Sequence, residues 1–78
     1  MNPIFAFDFP FPEGGSFRCK RNFADVDAAC EWASSMLTEG EFCYLAEVPS
    51  CTYVFEPANH PHHAVSMHTD GWSVLGYD

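Results

Sequence analysis

Four cysteines and four histidines are the side chains with the widest chemical repertoire in this chain. Cys19, Cys30, Cys43 and Cys51 are spaced by 11, 13 and 8 residues, with no C-x-x-C among them. His60, His62 and His63 crowd one short stretch, and His68 follows. Imidazole and thiolate suit zinc, which takes four such ligands in a tetrahedron. The spacing matches no zinc pattern, and the side chains of adjacent His62 and His63 diverge in an extended segment. A polar loop stiffened by Pro57 and Pro61 accounts for the same residues, so no metal is expected. A Cys–His nucleophile would need Cys43 or Cys51 within hydrogen-bond reach of a histidine, and an oxyanion hole. The chain holds no G-x-S-x-G, no H-E-x-x-H and no phosphate-cradling glycine loop. With 78 residues it has little room for both a core and a catalytic cleft of several hundred Å³. A protein that is not an enzyme and carries no cofactor is expected.

An even number of cysteines in a short chain also permits a disulfide framework, which needs an oxidising compartment. The start, Met1-Asn2-Pro3-Ile4-Phe5, has neither a basic n-region nor a signal-peptide apolar region. The cysteines are therefore expected as reduced core thiols, in a cytoplasmic protein. No run approaches the roughly 18 apolar residues of a membrane span.

The carboxylates carry more information. Three Lys/Arg stand against eleven Asp/Glu, for a net charge of -8. Arg18, Lys20 and Arg21 are the only bases, and residues 22–78 contain nine acids and no Lys or Arg. Such a balance disfavours nucleic acid or an anionic membrane as direct partners, because both need basic patches. Solubility explains part of it, and a helix N-terminus favours Asp25 and Asp27. A base-free stretch of 57 residues still costs the folded state self-repulsion. The natural partner of such a surface is a basic protein.

These groups need elements to hold them. With 47% apolar residues the chain can build one core, and residues 1–78 are read as a single domain. Residues 4–11 alternate strictly, Phe5, Phe7, Phe9 and Phe11 against Ile4, Ala6 and Asp8, the period of a strand. Pro10 and Pro12 lack N–H donors, so their nitrogens should point to an open edge. A turn at Glu13-Gly14-Gly15 leads to a second strand, 16–21, which sets Phe11 opposite Phe17, Phe9 opposite Cys19 and Asp8 facing Lys20. Phe23, Val26, Ala29, Cys30, Ala33, Met36 and Leu37 recur at helical spacing, predicting a helix over about 23–39. Asn22 or Asp25 can cap its start and Gly40 its end. Its polar face carries Asp27, Glu31, Ser34, Ser35 and Thr38.

Strands over 41–48 and 51–56 are expected to form a hairpin about Pro49-Ser50. Phe42, Tyr44, Ala46, Val48, Cys51, Tyr53 and Phe55 make its apolar face, with Cys43, Leu45 and Val54 among acids on the other. Residues 57–63 are a loop. A last hairpin, 64–69 and 72–77, turns at Asp70-Gly71, with Val65, Met67, Trp72 and Val74 on one face and Ser66, His68, Ser73 and Leu75 on the other. The fold class is α+β, order ββαββββ, with one amphipathic helix packed on one face of an antiparallel sheet. The outer sheet face is left partly solvated or in contact with a partner.

This layout makes a candidate partner-binding set of Asp27, Glu31, Glu39, Glu41, Glu47 and Glu56. Asp27 and Glu31 lie about 6 Å apart along a helix axis, near the spacing of successive phosphates in a nucleic-acid strand. Glu41, Glu47 and Glu56 share the outer face of one hairpin, with Glu41 and Glu47 about 20 Å apart. A rigid body bearing such carboxylates can occupy a groove built for a nucleic-acid backbone. The small size, the charge of -8, the α+β pattern and the base-free run from Asn22 to Asp78 resemble the small acidic anti-CRISPR proteins of phages that mimic DNA. That resemblance implies a partner, the basic DNA-binding face of a CRISPR surveillance complex, and inhibition by blocking DNA or PAM engagement. The alternative is a generic acidic interaction module or small accessory subunit, docking through an apolar patch of Leu45, Val54, Leu75 and Tyr77.

Overall fold

The computed structural model describes residues 2–76. The elements are β1 (Ile4–Pro10), β2 (Ser16–Asn22), α1 (Val26–Ser35), β3 (Phe42–Val48), a 3-10 turn at Pro57–Asn59, β4 (His63–His68) and β5 (Gly71–Leu75). The fold is α+β, with one helix on a five-stranded antiparallel sheet of order β2-β1-β3-β4-β5. The elements follow the expected order, but residues 51–56 stand in it without ladder bonds, as a turn and an extended stretch. Strand β3 pairs with β1 along one edge and β4 along the other, so no edge is left for that segment.

Strict alternation in β1 puts Phe5 and Phe7 on the helix side and Ala6 and Asp8 on the other. The β1–β2 register differs by two from the expected one. Phe9 pairs with Phe17, Phe7 with Cys19, and Asp8 with Arg18 rather than Lys20. The loop is longer, with the Phe11 N–H donating to Gly15 O and the Gly14 N–H to Phe11 O. A shift of two keeps every side chain on its face. Strand β1 is central, not an edge; Pro10 is tolerated because the β3 ladder ends at Asp8.

Asp25, in an extended conformation, caps α1 by accepting the Ala28 N–H at 2.8 Å. The helix is shorter than expected at both ends: Phe23 precedes it, and the chain leaves it at Met36. Gly40 serves a separate turn, at φ +87°, a conformation that glycine adopts without strain. Its N–H donates to Met67 O. Ala29, Cys30 and Ala33 pack on Phe5, Phe7, Cys43, Leu45 and Val65. Small helix residues let the backbone approach the sheet closely, and each buried Phe contributes roughly 1.5–3 kcal/mol. Trp32 seals the β1 side, its ring 4.8 Å from Phe7 and 5.7 Å from Phe23. Ser34, expected on the polar face, is buried and satisfied by donating to Glu31 O at 2.7 Å.

The helix meets the Cys43/Leu45 side of β3, not the Tyr44/Ala46/Val48 side that residues 51–56 were expected to extend. The second face is not open. The long connection after β3 folds over it and seats Phe55 on Ala6, Ala46 and Val48, with Tyr44 and Tyr53 alongside. The sheet is therefore covered on both faces at β1 and β3, while β5 stays exposed. In the last hairpin His68 pairs with Gly71 and Met67 with Trp72, again two from the expected register with faces preserved. Gly71, at φ +135°, closes that turn. Tyr77 lies outside the described residues.

Candidate partner-binding surface

Asp27 and Glu31 are exposed one turn apart on α1, opposite the Ala29/Ala33 stripe. Glu39 is exposed in the turn that joins α1 to β3. Glu41 holds that turn: its Oε1 accepts the Thr38 N–H at 2.7 Å, and its own N–H donates to Thr38 O. The Thr38 hydrogen bond keeps the Glu41 carboxyl below the ordinary range. Glu47 is exposed on β3 opposite Phe5, hence on the helix side of the sheet.

Glu56 is placed differently. Arg18 grips it with Nη1 at 2.9 Å and Nη2 at 3.4 Å, on the face away from the helix. The Arg18 hydrogen bond, and then its charge, pull the Glu56 carboxyl down. So Glu41, Glu47 and Glu56 do not share a face, because residues 51–56 cross the sheet instead of pairing with β3. Asp27, Glu31 and Glu39 follow α1 and its exit, with Glu47 on the same side of the sheet.

All three bases sit on β2 and each is engaged. Arg18 bonds Glu56 and, through Nε at 3.1 Å, buried Asp8. Lys20 Nζ donates to the carbonyls of Cys51 and Tyr53, tying down the covering segment. The Arg21 guanidinium lies 5.7 Å from the centre of the Trp32 ring. Among the described residues the ion pairs with Lys or Arg are those of Arg18 with Asp8 and Glu56.

The cysteines and histidines take structural places. Burial pushes the Cys30 thiol up to about 11 and the Cys43 thiol up to about 12, which keeps both protonated and poorly nucleophilic. All four cysteines are free. His60 Nε2 donates to Glu47 O at 3.3 Å, and its Nδ1 is hydrogen-bonded with the Tyr53 hydroxyl at 3.1 Å. His62 Nδ1 donates to His60 O, and its ring meets Tyr44 edge-on at 5.1 Å. His68 bonds Ser73 Oγ at 2.8 Å. Among the described residues no three His, Cys, Asp or Glu are grouped to hold a metal ion.

The apolar patch expected of Leu45, Val54, Leu75 and Tyr77 lacks Leu45. Leu45 is fully buried under the helix, while Val54 and Leu75 are 70% and 75% exposed. A different apolar surface opens where α1 ends early. Phe9, Phe11, Phe17, Met36, Leu37 and Phe42 line a cleft of about 220 Å³, with Glu41 at its wall. The alternation of Phe9, Phe11 and Phe17 beyond the reach of a ten-residue helix is the sequence signal for it.

No protein-family model, no curated protein and no solved structure matches this chain. No helix among the described residues is long and apolar enough to cross a membrane.

Proposed function

We propose that this protein is a non-enzymatic inhibitor that docks its acidic helix side on a basic, nucleic-acid-binding site of another protein and keeps DNA from it. One observation carries the reading: Asp27, Glu31, Glu39 and Glu47 are exposed, while all three bases are held on β2 by partners of their own. Carboxylates without internal cations attract Lys and Arg at long range and form charge-assisted hydrogen bonds on contact. The partner is a DNA-binding protein or surveillance complex. The resemblance to phage anti-CRISPR proteins makes a CRISPR complex the target class, and DNA or PAM engagement the step blocked. The protein itself contacts neither nucleic acid nor membrane. It acts in the cytoplasm, that of the host cell if phage-encoded, and its four free cysteines accord with a reducing compartment.

A second reading, an interaction module or accessory subunit docking through apolar contact, is favoured by the exposed aromatic cleft. Calorimetry against a purified surveillance complex separates the two. Under the first reading, affinity falls with salt, DNA competes, and joint Asp27→Lys and Glu31→Lys substitution abolishes inhibition with the fold intact. Affinity that ignores salt, charge reversal and DNA would overturn it.

A further inference from the structure

We propose that the cleft between the β1–β2 hairpin tip and the end of α1 receives an aromatic side chain that a partner protein carries beside lysine or arginine. This deepens the function proposed above and rests on it for the basic character of the partner.

Three observations meet at this place. The first is size: the cleft measures about 220 Å³, and apolar cavities of about 150 Å³ accept a benzene ring. The second is uncovered apolar surface. Phe11, Phe17, Met36 and Phe42 are between 40% and 56% exposed, all around one depression. A domain of this size needs its large apolar groups inside, and protein interfaces are anchored by aromatic side chains seated in such pockets. The floor is preorganised: the Phe9 ring is held against Phe7, Phe17 and Trp32 at 6.1–6.2 Å between centres.

The third observation is charge. Glu41 forms part of the wall, fixed by the Thr38 N–H. Glu39 precedes it by two residues, and Glu13 is exposed in the hairpin loop that also carries Phe11. Phe17 is followed by Arg18, but that guanidinium turns to the other sheet face, to Asp8 and Glu56. An apolar seat with Glu41 in its wall and further acids in the adjoining loops complements an aromatic group flanked by cations and repels one flanked by acids.

The test is a nuclear magnetic resonance titration of the labelled full chain with the capped peptide Lys-Lys-Phe-Arg-Lys. Two controls replace its Phe by Ala, or its four basic residues by Glu. The expected result is saturable shifts at the amides of Phe9, Phe17, Leu37 and Phe42, binding roughly tenfold weaker for the Ala peptide, and none for the Glu peptide. Met36→Lys and Phe42→Ser should each weaken binding by a similar factor. Met36 is 56% exposed, so Met36→Lys should keep the melting curve of the parent even if Phe42→Ser does not. Shifts confined to Asp27 and Glu31 with equal affinity for the Phe and Ala peptides would overturn the proposal, as would no binding. Cleft binding by the peptide, together with a partner complex that DNA does not disturb, would uphold the cleft and discard the nucleic-acid-site reading.

Discussion

Arg18 and Glu56 are joined across 38 positions of sequence, Nη1 to Oε1 at 2.9 Å, while the Arg18 Nε holds Asp8 at 3.1 Å. One guanidinium thereby neutralises a buried carboxylate of β1 and fastens the segment that covers the second sheet face. It also takes Glu56 out of the free acidic surface.

Glu56→Gln should therefore leave partner affinity almost unchanged and change the acid limb of stability. The Glu56 carboxyl is depressed in the fold by Arg18. A depressed carboxyl adds stability above its unfolded pKa and loses it as pH falls through the folded one, hence below about pH 4.3. Melting temperatures from pH 6 down to pH 2 should fall less steeply in that window for Glu56→Gln than for the parent. Identical slopes would mean that the pair does not form in solution.

Leu45→Ala should destabilise the domain by about 2–5 kcal/mol and Phe55→Ala by about 3–5 kcal/mol, since both are buried, on opposite faces of the sheet. Val54→Ala, at a position 70% exposed, should change little. Urea unfolding curves at constant slope measure all three. A mild Phe55 variant would show the second face to be open.

Ala33→Asp should prevent folding. Ala33 is fully buried between helix and sheet, and an unpaired charge there costs more than the roughly 5 kcal/mol that a small domain has to lose. A soluble variant that melts cooperatively at the parental temperature would place the helix on another face.

Alkylation of the native protein, followed by intact mass, should modify exposed Cys51 first and half-buried Cys19 more slowly. Cys30 and Cys43 should resist, being buried with thiols raised to about 11 and about 12. Denaturation without reductant should expose all four. Two or fewer modified thiols would reveal a disulfide.

Charge reversal should have graded effects on partner binding. Asp27→Lys, Glu31→Lys and Glu39→Lys should slow association most, as exposed carboxylates do by steering. Stopped-flow association rates at two salt concentrations check the order. If Glu56→Lys slows association as much as Asp27→Lys, the binding surface is not the helix side.

Much of this molecule follows from local pattern. Alternation in residues 4–10 dictates a strand, the Ala29/Cys30/Ala33 spacing dictates which helix face is buried, and alternation around Asp70-Gly71 sets the faces of the last hairpin. These are legible because side-chain direction follows a local period, two residues in a strand and 3.6 in a helix, whichever layers lie on either face. The excess of acids over bases is equally a property of composition. Tertiary structure alone decided the rest. Strand β3 is apolar on both faces, Cys43 and Leu45 on one and Tyr44, Ala46 and Val48 on the other, so its pattern does not say which meets the helix. Residues 51–56 alternate like a strand, yet β1 and β4 occupy both edges of β3 and the segment lies across the sheet. That placement carries Glu56 to Arg18, on the face away from the helix. Ladder bonds are satisfied between distant segments, and competition for an edge cannot be read from any one of them.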